Sequence, residues 1–241
     1  DRAHKVMAMH LLSTDRPWPE WYEGIFEREE ALARKANVPA PELVHALPKW
    51  LYQRGCNELG EEGWQKCLSS LNQPADVILR TNRLKTEVDA LVSLLKVEEI
   101  QVISPDLDVF PDALRLTKRA NVFRTDSFQK GYFEVQDASS QTVGYFLDPQ
   151  PGERVVDACA GAGGKSLHLA SLMKNKGKVI AMDIHAWKLE ELKKRARRGG
   201  VSIIEPRLIE STKTLKRLKQ SADALLLDVP CSGIGVLKRN P

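Results

Sequence analysis

The sequence predicts an α/β fold: a parallel sheet covered by helices, preceded by a helical region and a small α+β unit. Three observations carry this. Strands and helices alternate from residue 155 onward. The strands are near-continuous apolar runs, the pattern of a sheet buried on both faces. A glycine-rich turn joins the first of these strands to its helix, the place where open parallel sheets hold a ligand.

The elements follow in order. Residues 1–46 repeat apolar positions at helical spacing, and Trp18, Trp21, Tyr22, Ile25 and Phe26 form an aromatic stripe that reads as packing. Pro39 and Pro41 break the pattern, a helix starts within residues 47–51, and residues 61–71 form another. After Pro74 the period changes. Residues 76–82 read as a strand, residues 86–95 as a helix with Thr86 as N-cap, and residues 100–103 and 114–116 as two short strands. In the C-terminal half, strands are expected at 155–159, 178–183, 202–209 and 222–229. Helices are expected at 165–173, 187–198 and 212–218, with Gly199-Gly200 closing the second. The implied organisation is a helical region over 1–74, a small α+β module over 75–130 and a nucleotide-fold domain over 131–241.

Composition narrows the class. With 42% hydrophobic and 28% charged residues, the 241-residue chain is expected to bury a core rather than stay disordered. No apolar run approaches the roughly 18 residues of a membrane helix. Cys56, Cys67, Cys159 and Cys231 form no Cys-x-x-Cys pair, so neither a metal site nor a dithiol motif is expected, and scattered thiols suit a reducing cytoplasm. A monomer is expected. The absence of Met at position 1 and the abrupt Asn240-Pro241 end suggest a piece of a longer protein. The net charge of +4 hides a concentration: Lys174, Lys176, Lys178, Lys188, Lys193, Lys194, Arg195, Arg197 and Arg198 fall within one helix-turn-strand stretch. Two readings stay open there, a phosphate-binding face and a solvated helix surface.

The strongest local motif is the turn Cys159-Ala160-Gly161-Ala162-Gly163-Gly164-Lys165-Ser166 between a strand and a helix. Glycines let a ligand approach the backbone, and the helix start offers free N–H groups. A dinucleotide fingerprint fails because Ser166 stands where a third glycine belongs. A phosphate-binding P-loop matches at Gly164-Lys165-Ser166 but has Cys159 in place of its first glycine. S-adenosylmethionine predicts an acid ending the second strand to hold the ribose, and Asp183 is there. The second motif is Asp228-Val229-Pro230-Cys231-Ser232-Gly233, which sets an acid and a thiol just past the fourth strand. Cytosine is a poor nucleophile at carbon 5, and thiolate addition at carbon 6 would activate it. Asp228 could stabilise that adduct near ring nitrogen 3.

With these motifs the chain resembles the Nop/Sun family of RNA cytosine-5 methyltransferases over roughly residues 47–241. The resemblance rests on residues 131–141, the Cys159-to-Lys165 turn, Asp183 and the Asp228-to-Gly233 turn. Residues 79–82 and 111–114 resemble the family's small RNA-recognition segment. It implies a Rossmann-like S-adenosylmethionine-dependent methyltransferase fold, shown here up to the fourth of seven strands, with RNA (ribosomal or transfer) as partner. It further implies that Cys159, Ala160, Gly161, Ala162, Gly163, Gly164 and Lys165 cradle the methionine end of the cofactor. Asp183 would hold the ribose, Glu210 would lie near the adenine, and Asp228 would stand between cofactor and base. Cys231 matches the cysteine that assists product release, and Cys231, Asp228 and Lys165 are the expected catalytic residues, while no residue matches the family's Thr-Cys nucleophile. Ala162 replaces the commoner Pro, and Glu210 the usual Asp. Alternatives are a DNA cytosine-5 enzyme with a Pro-Cys nucleophile, a cofactor- and RNA-binding fragment without turnover, and the P-loop protein.

Overall fold

The computed structural model describes residues 47–71, 73–105, 109–216, 218–231 and 233. The expected helical region at 1–46, with its aromatic stripe, lies outside the described residues. The chain divides into two compact units, with Ala75–Gly233 forming the larger one.

In the smaller unit, helices α1 (Lys49–Leu59) and α2 (Glu61–Leu71) pack through Leu47, Tyr52, Trp64 and Leu68. Gly55 lets the Trp64 ring approach, because a Cβ there would lie 2.2 Å from it.

The larger unit holds two sheets. Strands β1 (Ile78–Thr81), β2 (Val102–Ile103), β3 (Ala113–Leu116) and β4 (Phe133–Val135) form an antiparallel sheet in the order β2-β3-β1-β4. Helix α3 (Val88–Val97) covers it, setting Leu91 and Leu95 against Leu79, Leu114 and Phe133. Two expectations are corrected here. The N-cap of α3 is Glu87, with no side-chain cap, and the Thr86 hydroxyl instead donates to the Glu87 carbonyl at 3.4 Å. The small sheet also extends past the expected boundary at 130, since β4 pairs with β1. A three-residue Phe-Glu-Val strand shows no alternation long enough to read, and its central glutamate looks like surface. A short helix, α4 (Asp126–Gln129), precedes it, capped by the Thr125 hydroxyl, which accepts from the Phe128 N–H at 3.1 Å.

The parallel sheet contains β5 (Arg154–Asp157), β6 (Lys178–Asp183), β7 (Ile204–Leu208) and β8 (Ala224–Leu226) in the order β7-β6-β5-β8. All its pairings are parallel. The connecting helices are α6 (Gly164–Leu172), α7 (Ala186–Gly199) and α8 (Thr212–Lys216). Each element lies where its apolar run or helical period predicts, with ends that differ from the expected ones by no more than a few residues. Helix α5 (Ala138–Leu147), which residue pattern alone did not reveal, leads into the sheet. Val155, Leu169, Met173, Val179 and Leu226 form the central core. Strand order reverses between β5 and β8, which opens a crevice beyond the carboxyl ends of these two strands. An apolar edge is expected at the last strand of such a sheet, and β8 is the edge strand among the described residues: Leu225, and Leu227 just past its end, are more than half exposed.

Helices α5 and α6 meet at a buried histidine. His168 is 1% exposed, its ring lies edge-on to Tyr145 with centroids 4.9 Å apart, and a Cβ on Gly144 would sit 2.6 Å from Nδ1. Burial pushes its pKa down to about 4. In the unfolded chain an ordinary His takes up its proton below about 6.5, which the folded protein resists until about 4. His168 therefore costs stability as pH falls through that window, by up to roughly 3 kcal/mol. In urea unfolding, the stability advantage of wild type over His168→Gln is expected to shrink by about that amount between pH 7 and pH 4.

Candidate active site

The turn after β5 is tied to both neighbouring strands. Ala158 N–H donates to the Leu226 carbonyl of β8 at 3.0 Å, and Ala160 N–H to Met182 of β6 at 2.8 Å. Gly163 must be glycine twice over: its φ is +88°, and a Cβ would lie 2.6 Å from Leu192 of α7. Gly161 also has positive φ (+55°), but nothing lies within 4 Å of its missing Cβ, so open space stands above the backbone there. Gly163 is the N-cap of α6 and carries no side-chain cap, which leaves the first-turn N–H groups for a ligand.

Three carboxylates surround this turn. Asp157, at the end of β5, is buried and accepts the Ser166 hydroxyl at 2.7 Å, while its second oxygen has no partner. Burial pushes its carboxyl up to about 6. Asp183, at the end of β6, accepts Gly161 N–H at 3.0 Å on one oxygen and His185 N–H at 2.8 Å on the other. Each oxygen keeps capacity for a hydroxyl donor, which suits a ribose. Asp228 accepts Lys165 Nζ at 2.5 Å, bringing the first turn of α6 against the Asp-Val-Pro-Cys turn that follows β8.

The remaining expected residues are less engaged. The Cys159 thiol is pushed up by burial and by the carboxylates of Asp157, Asp183 and Asp228, which disfavours a thiolate there. Cys231 is exposed three residues past Asp228. Glu210 is exposed, though Ile209 N–H donates to the Asp183 carbonyl at 2.9 Å and so sets residue 210 near the end of β6. Ser166 is fully buried on Asp157, so its hydroxyl is not free for the magnesium ion of a P-loop, and the P-loop reading loses its chemistry. Among the described residues no group of three His, Cys, Asp or Glu could hold a metal. No described helix is long and apolar enough to cross a membrane.

The basic stretch divides. Arg195 and Arg198 turn inward onto Glu134 of β4, and Arg198 stacks on Phe128 at 3.9 Å. Lys193 and Lys194 pair with Glu190 and Glu191 on the exposed side of α7. Arg80, Glu134 and Gln136, which help to carry the resemblance, had no site role in the sequence reading, yet they lie directly behind the glycine turn. The available signal was a charge in each of two short apolar strands.

Residues 144–241 match the family described as 16S rRNA methyltransferase RsmB/F, and residues 47–123 match the ferredoxin-like domain of RsmF/B-like methyltransferases. The chain belongs to the RsmB/F (Nop/Sun) family. It is 37% identical over 203 residues to a probable ribosomal RNA small subunit methyltransferase B of Bacillus subtilis, covering 84% of this chain and 44% of that protein. The crystal structure of PH0851 is 31% identical with TM-score 0.78, over 89% of this chain and 49% of the other. A methyltransferase homolog from Pyrococcus horikoshii is 29% identical with TM-score 0.71, over 82% and 66%. The RsmB/F chain thus spans about half the length of the curated relatives it matches. Its fold is the Rossmann-like fold of S-adenosylmethionine-dependent methyltransferases, with a ferredoxin-like domain in front.

The two turn glycines separate two costs. Gly161→Ala meets only the left-handed backbone penalty, about 1 kcal/mol. Gly163→Ala adds the clash with Leu192 and is expected to lose about 2–4 kcal/mol in total. Urea unfolding of the two variants side by side checks the difference.

Proposed function

We propose that this chain holds S-adenosylmethionine at the crevice between β5 and β8, and that the protein it belongs to methylates carbon 5 of a cytosine in RNA, ribosomal or transfer. The observation that carries the reading is the convergence at one sheet edge of the Cys159-to-Lys165 turn, the Asp183 carboxylate and the Lys165–Asp228 pair. Open space over Gly161 and uncapped N–H groups at the start of α6 fit the methionine end of such a cofactor. Family membership supports RNA methylation, since the curated relatives are ribosomal RNA methyltransferases.

When bound, the cofactor supplies an electrophilic methyl group. In this reading Asp183 holds the ribose, Glu210 lies toward the adenine, and Asp228, positioned by Lys165, faces the base from the β8 side. Carbon 5 gains nucleophilicity when a cysteine thiolate bonds to carbon 6. Cys231 is the candidate for releasing the methylated product, as in the family resemblance. The small antiparallel-sheet module contributes to holding RNA, and single-stranded segments are the natural targets because the base must leave its stack. A cytoplasmic monomer fits this role.

Calorimetry with S-adenosylmethionine and its demethylated product tests the cofactor site. Wild type is expected to bind, and Asp183→Asn to bind about 10- to 100-fold more weakly through lost charge-assisted hydrogen bonds. No heat with either ligand would remove the cofactor reading. Incubation with labelled cofactor and bulk RNA tests turnover: incorporation lost in Cys231→Ala would make that cysteine the nucleophile, and binding without incorporation would favour the cofactor-binding fragment.

A further inference from the structure

Two carbonyls of the glycine turn are gripped from behind. Arg80, on β1 of the small sheet, donates through Nη1 to the Gly164 carbonyl at 2.8 Å and to Gln136 Oε1 at 2.7 Å. Arg195, on α7, donates through Nη1 to the Ala162 carbonyl at 2.8 Å. Arg195 is itself held by Glu134 Oε2, from Nε at 3.1 Å and from Nη2 at 2.9 Å. Glu134 lies on β4 directly opposite Arg80 in the antiparallel register. Arg80 and Glu134 are only 2% and 6% exposed. The residues on either side of Gly163 are therefore fixed by two guanidinium groups, one rooted in β1 and the other anchored to β4.

Such an arrangement is costly if folding is its only purpose. Arg80 Nε is buried with no partner, and burial pulls the guanidinium down to about 10. Well-packed apolar residues commonly serve stability as well as buried ions do. What they do not supply is directional hold on a carbonyl. A turn whose N–H groups must meet a ligand in one geometry gains from that hold, because less ordering remains to be done on binding.

We propose that Arg80 is a positioning residue for the cofactor: the ferredoxin-like module, through Arg80 and the Glu134–Arg195 pair, holds the glycine turn in its ligand-binding conformation. The module is then part of the cofactor site as well as an RNA-facing unit. Linkage makes the coupling reciprocal, so cofactor in the turn also tightens the β1–β4 edge. This inference rests on the cofactor reading above.

The test uses the full chain and two variants, Arg80→Met and the milder, partly exposed Arg195→Gln. Both are expected to bind S-adenosylhomocysteine about 10-fold or more weakly in calorimetry, the loss that one charge-assisted hydrogen bond carries. In the ligand-free protein, hydrogen exchange at Ala160, Gly161 and Gly163, the turn amides that are bonded in the structure, is expected to accelerate, while β5 and the second half of α6 keep wild-type protection. A merely structural role would instead raise exchange across the whole unit and leave the affinity of folded molecules unchanged, and that result overturns the proposal. If wild type itself does not bind the ligand, the cofactor reading fails. The exchange pattern then still decides whether Arg80 holds the turn. If Arg80→Met does not fold, Arg195→Gln alone carries both measurements, and wild-type affinity in it sinks the idea.

Discussion

Everything at the carboxyl edge of the parallel sheet is arranged around a turn that must pass between the end of β5 and Leu192 of α7. Residue 163 has no room for a Cβ and a backbone conformation that side-chain-bearing residues avoid. With that passage open, α6 starts at Gly164, and its first-turn Lys165 reaches Asp228 at 2.5 Å. Gly161 N–H can then meet Asp183 at 3.0 Å. Three strand ends are thus linked through one backbone path. The crevice of the switch point is a consequence of strand order, but its chemical lining depends on this path.

Behind the turn, the small sheet meets the parallel-sheet half through directional polar contacts. Asn82 Nδ2 donates to the carbonyls of Gly131 and Gly199, both at 2.8 Å. Lys85 Nζ donates to Lys130 and Arg198 carbonyls at 2.7 Å, at the negative end of the α7 dipole. Tyr145 donates its hydroxyl to Asp112 at 2.7 Å. Gly131 makes the approach possible, because a Cβ there would lie 2.1 Å from the Arg198 carbonyl. Apolar packing tolerates sliding, whereas a set of side-chain to main-chain bonds specifies one register. The two halves accordingly form one compact unit although each sheet has its own core.

The charge pattern of α7 serves two ends. Its inward arginines neutralise the buried Glu134, and its outward lysines pair with glutamates one turn away. Surface pairs of that kind contribute little to stability, on the order of 0–1 kcal/mol. The inward pair is different in kind: removing one partner would leave a buried charge uncompensated. A count of basic residues therefore overstates the face open to phosphate.

The sequence by itself determined the alternating half of the fold, because apolar runs and glycine punctuation are local signals read at their own positions. The Cys159-to-Lys165 turn, Asp183 and Asp228 were legible for the same reason: each lies at a fixed offset from a strand end. Only the tertiary structure decided that Phe133–Val135 belongs to the small sheet and that Lys165 pairs with Asp228. It alone showed that Arg80 and Glu134, separated in sequence from the turn and from Arg195, stand behind it. A buried charge is specified by its partners, and those partners come from strands and helices that the chain brings together only after folding.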